Sequence, residues 1–300
     1  MRTPLVRYDG DPGEPAIHLK LENLQPIGSF KIRGALNRML SLPRADLDRG
    51  VCTASAGNMA QGVAWAARLL GVPATVVVPE SAPGAKLDAI ERLGARLVKV
   101  PYDAWWAAMR EHGCPGMEGV FVHPFADPAV MAGNATIALE VLEDLPDVDA
   151  ILVPWGGGGL ACGIASAARA IRPNVRVYAC EVVGAAPLSA SLAAGKAVSI
   201  DNRRTFVDGI GGGSVFPEIW PLARELLAGS LTVELEAVAA SVRLLARRAR
   251  IVAEGAGAAA LAAARVSDVT RECRKVACIV SGGNIDAAVL ATILSGSTPG

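Results

Sequence analysis

The chain is poor in lysine, with six among its 29 basic residues and arginine in all the other basic positions. It is also poor in aromatics, at 4% of residues, so Ala, Val and Leu must do most of the packing in a chain that is 52% hydrophobic. It lacks a charge imbalance: 29 acidic residues cancel the 29 basic ones, which removes the electrostatic case for nucleic acid or an anionic membrane. The densest basic cluster, Arg243, Arg247, Arg248 and Arg250, falls on a helix-like stretch and reads as a solvated face. No uninterrupted apolar run is long enough to span a bilayer, and residues 1–20 are charged and Pro-rich rather than signal-like. The six cysteines, at 52, 114, 162, 180, 273 and 278, have no paired C-x-x-C spacing. Four of them lie in apolar strand or helix patterns, where a buried free thiol is the ordinary outcome, and a reducing cytoplasm is the expected location.

What is present is regular alternation. Strands are expected at 50–55, 74–79, 95–100, 150–154, 175–181 and 275–281. Helices are expected at 58–70, 83–93, 102–110, up to 145, 160–171, 217–228, 235–250 and 254–265, with one more closing the chain. Apolar runs flanked by helices argue for parallel strands covered on both faces, hence an open α/β architecture. A Gly/Pro-rich loop at 113–128 is the natural place for the chain to pass between two lobes.

Three glycine loops follow strand-like runs. In "ILVPWGGGGLACGIASAARAI" a buried strand enters four glycines and then a helix. Successive backbone N–H groups there can converge on an anion at a helix N-terminus, so phosphate binding by Gly156, Gly157, Gly158 and Gly159 is the first reading. Gly156, Gly158 and Ala161 also satisfy the G-x-G-x-x-G/A dinucleotide spacing, with Glu181 where a ribose-binding acid would stand. A nucleotide-binding oxidoreductase therefore stays open at this point. "TASAGNMAQG" sets Ser55, Gly57 and Asn58 at a helix start, and "IVSGGNID" sets Ser281 at the carboxyl end of an apolar strand. Such strand ends bind ligands in open α/β sheets. Lys31, in "PIGSFKIRGALN", is either a solvated first-turn charge or an amine held for covalent chemistry.

"KLENLQPIGSFKIRGALN", "ASAGNMAQGVAWAARLLG", "VPWGGGGL", "VAEGAGAAALAA" and "SGGNID" together resemble the serial motifs of pyridoxal-phosphate enzymes of the tryptophan synthase β-like type (fold type II). Within that group the chain looks most like the serine/threonine dehydratases, or threonine ammonia-lyases, from Thr3 to about Asp286. The resemblance implies two open parallel-rich sheets, each flanked by helices. Residues 1–45 and 132–300 would form a large domain binding pyridoxal 5'-phosphate, and residues 46–131 a small substrate-loop domain. Lys31 would be the Schiff-base lysine and the α-proton base, with Phe30 beside the cofactor ring. Gly156, Gly157, Gly158, Gly159 and Leu160 would hold the phosphate through backbone N–H groups. Asn58 would bond the phenolic oxygen, Ser281 would face the pyridine nitrogen, and Glu254 would stand near the cofactor. Ser55, Ala56, Gly57 and Met59 would line the pocket for the substrate carboxylate.

The implied activity is β-elimination from a hydroxy-amino acid such as L-threonine or L-serine, giving a 2-oxo acid and ammonia. The alternative that keeps the cofactor is β- or γ-replacement, as in cysteine or threonine synthases. Departures from the family pattern carry expectations of their own. Met59 replaces the usual His and removes a polar group. Ala56 stands where racemases of the family carry a second serine, which disfavours racemisation. Ala185 and Pro187 stand where metal-dependent relatives supply carboxylates, so no metal is expected. Thr3-Pro4-Leu5 opens the chain without the family's preceding helix, and no carboxy-terminal regulatory domain follows residue 300, so end-product control is not expected. Trp155, just before the glycines, either narrows the site or packs in the core. A homodimer is the expected assembly.

Overall fold

A computed structural model describes residues 1–299 apart from Pro12, Pro83, Cys114, Pro115 and Gly116, with Ala85 and Lys86 described by backbone alone. Pro83, the expected start of a helix, and Cys114 thus lie outside the described residues. Along the chain run β1 (Leu5–Arg7), β2 (Ala16–Leu21), α1 (Lys31–Leu40), α2 (Arg44–Asp48), β3 (Val51–Ala54), α3 (Asn58–Leu70), β4 (Ala74–Pro79), α4 (Gly84–Arg92), β5 (Arg96–Val100), α5 (Tyr102–Arg110), β6 (Val120–Phe121) and α6 (Pro128–Asp144). Then come β7 (Ala150–Pro154), α7 (Gly159–Ile171), β8 (Arg176–Val182), α8 (Pro187–Ala194), α9 (Trp220–Leu226), β9 (Gly229–Val233), α10 (Leu235–Leu244), α11 (Gly255–Val266), α12 (Asp268–Arg271), β10 (Lys275–Val280) and α13 (Ala287–Leu294).

The chain forms two compact units, Met1–Ser29 with Ala135–Gly300, and Phe30–Asn134. The first is built on a six-stranded sheet in the order β1-β2-β10-β7-β8-β9, parallel except for the β1–β2 pair. The second has a four-stranded, wholly parallel sheet in the order β5-β4-β3-β6. The expected α/β architecture of two parallel-rich sheets with flanking helices is what forms.

The composition explains how. All five residues of β7 are buried, as are all four of β3, so neither strand alternates, and each is an uninterrupted apolar run suited to a sheet covered on both faces. Helix α11 lies across β7, β8, β9 and β10 with every residue from Gly255 to Ala264 buried. Its Gly/Ala content lets the backbone come close to the sheet, and with few aromatics available this close approach is how the first unit reaches core density. In the second unit α1 packs on α3, where a Cβ on Gly62 would lie 3.2 Å from the Lys31 carbonyl oxygen. The five described cysteines are free and buried. Among the described residues no helix is long and apolar enough to cross a membrane.

Some elements were not expected. Strand β2 carries Lys20 with no exposed surface, its Nζ 2.5 Å from the Glu140 carboxylate and 2.6 Å from the Thr3 carbonyl oxygen. A charge in "AIHLKL" reads as a surface signal, and only a partner 120 positions away makes its burial tolerable. Strands β1, β6 and β9 and helix α8 were also unmarked, and the helix expected to reach residue 250 leaves α-geometry after Leu244. Residues 30–45, expected with the first lobe, cluster with the second, because α1 buries its apolar face against α3.

Candidate active site

The residues singled out from the sequence fall into two sets, one in each unit. In the first unit β7 delivers Trp155 and the four glycines to the head of α7. Gly158 has φ +89°, the left-handed region, and a Cβ there would meet Trp155 Cη2 and Ile219 Cγ2, each at 2.6 Å. The position therefore demands glycine for both conformation and space. Trp155 is buried beneath the loop, so it supports the glycines from the core side. Among the described residues no protein acceptor takes the backbone N–H groups of Gly156 through Leu160. Five N–H groups at a helix start form a donor set that a phosphate would satisfy, with the helix dipole adding to it.

Neighbouring segments of the same unit close on this loop. A Cβ on Gly156 would lie 3.1 Å from the Gly209 carbonyl oxygen, and the Gly209 turn is 3.7 Å, measured from its own ideal Cβ, from Glu254 Oε1. Glu254 is buried, and its N–H donates to the Gly282 carbonyl at 3.1 Å. Ser281 ends β10, beside β7 in the sheet, and is buried. A Cβ on Gly257 would sit 2.3 Å from the Gly282 oxygen, so α11 can approach the 281–283 loop only because residue 257 has no side chain. The tetraglycine loop, Glu254 and Ser281 are thus joined through Gly209 and Gly282 at the carboxyl edge of one sheet, where an open α/β sheet binds ligands. Ser29, which the sequence did not single out, pairs with Gly282, and its buried hydroxyl has no partner among the described residues. Phe30 and Lys31 follow it directly in the chain.

In the second unit Lys31 opens α1 half-buried. Its Nζ donates to the Pro124 carbonyl at 2.7 Å and stands 5.2 Å from the centre of the Phe30 ring. It is not a freely solvated first-turn charge. Ser55 follows β3, its N–H bonded to the Val77 oxygen, and its hydroxyl accepts from the Gly57 N–H at 3.2 Å. A Cβ on Gly57 would meet nothing within 4 Å, so this turn faces open space, while Asn58 starts α3. Ala56 is half-buried against the apolar core. Met59 is 2% exposed, its side chain packed in that core on the inward face of the first turn of α3.

Sequence reading also passed over His123. The ring is buried, its Nδ1 accepting from the Ala126 and Phe125 N–H groups at 2.7 and 3.2 Å, and its Nε2 facing the Met109 carbonyl oxygen at 3.1 Å. A carbonyl only accepts, so Nε2 carries the hydrogen and the ring is neutral. Burial, with His112 and Lys31 adding to it, holds its pKa down at about 3.

Glu181 corrects a sequence-based alternative. Its buried carboxylate accepts from the Leu188 and Ser189 N–H groups, each at 2.8 Å, and from the Ser230 hydroxyl at 2.7 Å. Burial raises its pKa against the pull of those bonds. It caps α8 and is unavailable to a ribose. Among the described residues no group of three or more His, Cys, Asp or Glu is placed to hold a metal ion.

The first unit thus carries an anion cradle of backbone N–H groups, and the second a half-buried lysine amine; these are the two kinds of group that a phosphate-bearing aldehyde calls for. Comparison with known proteins agrees. The chain belongs to the pyridoxal-phosphate dependent enzyme family, whose model matches residues 1–282, and pyridoxal phosphate is its cofactor. It is 46% identical over 284 residues to an L-threonine ammonia-lyase of Geobacter sulfurreducens, spanning 93% of this chain and 69% of that protein. Identity to an L-threonine ammonia-lyase of Thermotoga maritima is 41% over 282 residues, spanning 93% of this chain and 70% of that one. Maize serine racemase superposes with a TM-score of 0.88 at 33% identity, covering 98% of this chain and 92% of the other. The oxidoreductase reading falls with these matches and with the engagement of Glu181.

Proposed function

We propose that this protein is an ammonia-lyase that eliminates the β-hydroxyl of a small amino acid, L-threonine or L-serine, and yields a 2-oxo acid and ammonia. The observation that carries this reading is the Lys31 amine, half-buried at the head of α1 and hydrogen-bonded to the Pro124 carbonyl, in a chain 46% identical to an L-threonine ammonia-lyase.

The residues divide the work as follows. Lys31 would carry the cofactor, and its freed amine would take the α-proton. The N–H groups of Gly156, Gly157, Gly158, Gly159 and Leu160 would hold the phosphate. Ser55, Ala56 and Gly57 would receive the substrate carboxylate at the open side of their turn, with Asn58 and Phe30 against the cofactor ring. Glu254 would stand at the cofactor's edge beside the Gly209 turn. When bound, the cofactor acidifies the substrate's α-hydrogen by withdrawing electron density. Ser281 tempers this. A hydroxyl facing the ring nitrogen cannot balance a positive charge there as a carboxylate would, which favours prompt loss of a β-leaving group over a long-lived carbanion. Met59 would complete the loop of Ser55, Ala56 and Gly57, its side chain packed in the core behind it. The working form would be a cytoplasmic homodimer.

A 2-oxo acid release assay across serine, threonine and larger β-hydroxy amino acids of both configurations tests this. Turnover of L-threonine and L-serine with equimolar ammonia is expected. Substitution products formed with an added thiol, without 2-oxo acid, would establish the replacement reading instead.

Ala56 separates elimination from racemisation. A hydroxyl at this position would offer a proton from the face opposite Lys31, so Ala56→Ser is expected to gain slow conversion of L-serine to D-serine, read by chiral chromatography. Absence of D-serine in that variant would remove this role for residue 56.

A further inference from the structure

We propose that His123 is a positioning residue for Lys31. Its ring ties the 123–126 turn so that the Pro124 carbonyl receives the Lys31 amine, and thereby sets where that amine rests whenever it is not bonded to the cofactor. The inference rests on Lys31 being the reactive amine.

The geometry is all within the second unit. Strand β6 leads into the turn, with the Val122 N–H on the Cys52 oxygen at 2.7 Å and the Thr53 hydroxyl on the Val122 oxygen at 2.8 Å. His123 then folds back. Its Nδ1 accepts from the two N–H groups that follow Pro124, and its Nε2–H is anchored to Met109 at the end of α5. The Phe125 ring meets it edge-on at 4.5 Å, and the His112 ring lies at 4.4 Å. The peptide that carries the Pro124 oxygen is therefore held at its own N–H, that of Phe125, by the imidazole, which also takes the N–H of the next peptide. Pro124 itself has a restricted φ, which further limits where its carbonyl points.

Beyond the turn, Asp127 pairs with Arg38 at 2.8 Å, and the Asn37 amide donates to the Ala129 oxygen at 2.7 Å. Residues 31 and 38 are seven apart on α1 and so share a face. The segment 124–129 thus lies along that face of α1, with Lys31 at one end and Arg38 at the other. A lysine side chain has several rotatable bonds and much rotamer freedom to lose. Proton transfer needs it confined near its target, and a fixed carbonyl confines it without adding a charge.

The test uses holoenzyme of the wild type and of His123→Asn, His123→Gln and His123→Leu. An asparagine oxygen can replace Nδ1 as acceptor, whereas glutamine can replace only the outward donor and leucine neither. Single-turnover rates with L-threonine are expected to fall on the order of 10- to 100-fold in the Gln and Leu variants with KM little changed, and to be largely restored in the Asn variant. Long-range nitrogen–proton spectra of the wild type should show His123 neutral with hydrogen on Nε2 from about pH 6 to 8. Equal rates in all three variants, a KM effect without a kcat effect, or a ring carrying hydrogen on Nδ1 would each overturn the proposal. Borohydride reduction of the wild type with peptide mapping keeps the two failures apart. A label away from Lys31 removes the underlying reading, whereas a label on Lys31 with Asn and Gln variants alike removes the positioning role alone.

Discussion

Lys31→Ala is expected to abolish 2-oxo acid release, with kcat lowered by at least about ten-thousand-fold, while the protein keeps its fold. Two contributions vanish together. In the proposed roles, the positioned base would be worth about 100- to 10,000-fold by itself, and the covalent attachment that the same amine would provide is lost with it. The structural cost is small by comparison. The bond from Nζ to the Pro124 oxygen contributes about 1 kcal/mol, and alanine suits the first turn of α1 well. The cofactor should still associate through the cradle at Gly156 to Leu160, weakly and without surviving borohydride as a protein label. Assay of purified Lys31→Ala against L-threonine, beside its thermal melt and its cofactor content, checks all three points. Residual activity within about tenfold of wild type would mean that another group does the proton transfer.

What could be read from the sequence was whatever one contiguous segment states completely. The run "ILVPWGGGG" contains its strand, its loop and its helix start within about a dozen residues, and it folds as read. "ASAGN" likewise announces a turn feeding a helix, and β3, β7 and β10 announce themselves as apolar runs. Features that depend on a distant partner were lost or misread. Lys20 is buried only because Glu140 meets it, so β2 did not read as a central strand. Glu181 stood at the right spacing for a ribose acid but is spent on the amides of α8, which no spacing rule reveals. His123 and Pro124 lie more than 90 residues from Lys31, in a stretch whose Gly/Pro content reads as a mere connection. Gly209 and Gly282 have no side chain of their own, so the part they play in joining the first-unit residues leaves no signature in residue type beyond glycine.

Gly158→Ala should be the most damaging single-methyl change at the phosphate cradle. Its φ of +89° lies where an L-residue costs about 1–2 kcal/mol, and the new Cβ would sit 2.6 Å from both Trp155 Cη2 and Ile219 Cγ2. Trp155 and Ile219 are each 1% exposed, so neither can move aside without disturbing the core, and overpacking of this kind adds about 1–3 kcal/mol. A loss of about 2–5 kcal/mol follows, a large part of an ordinary domain's stability. The same displacement would turn the N–H groups of Gly158 to Leu160 away from their common focus, so cofactor affinity should fall along with the unfolding midpoint. Ile219→Ala in the same protein tests the cause. It is destabilising by itself, but it removes one of the two colliding groups, the Cγ2 methyl, so the double variant should be more stable than the sum of the single losses allows, by about 1 kcal/mol. Strict additivity in urea unfolding would leave the left-handed backbone and the Trp155 collision as the cause, with no share for Ile219, and cofactor titration of the double variant would then show no recovery.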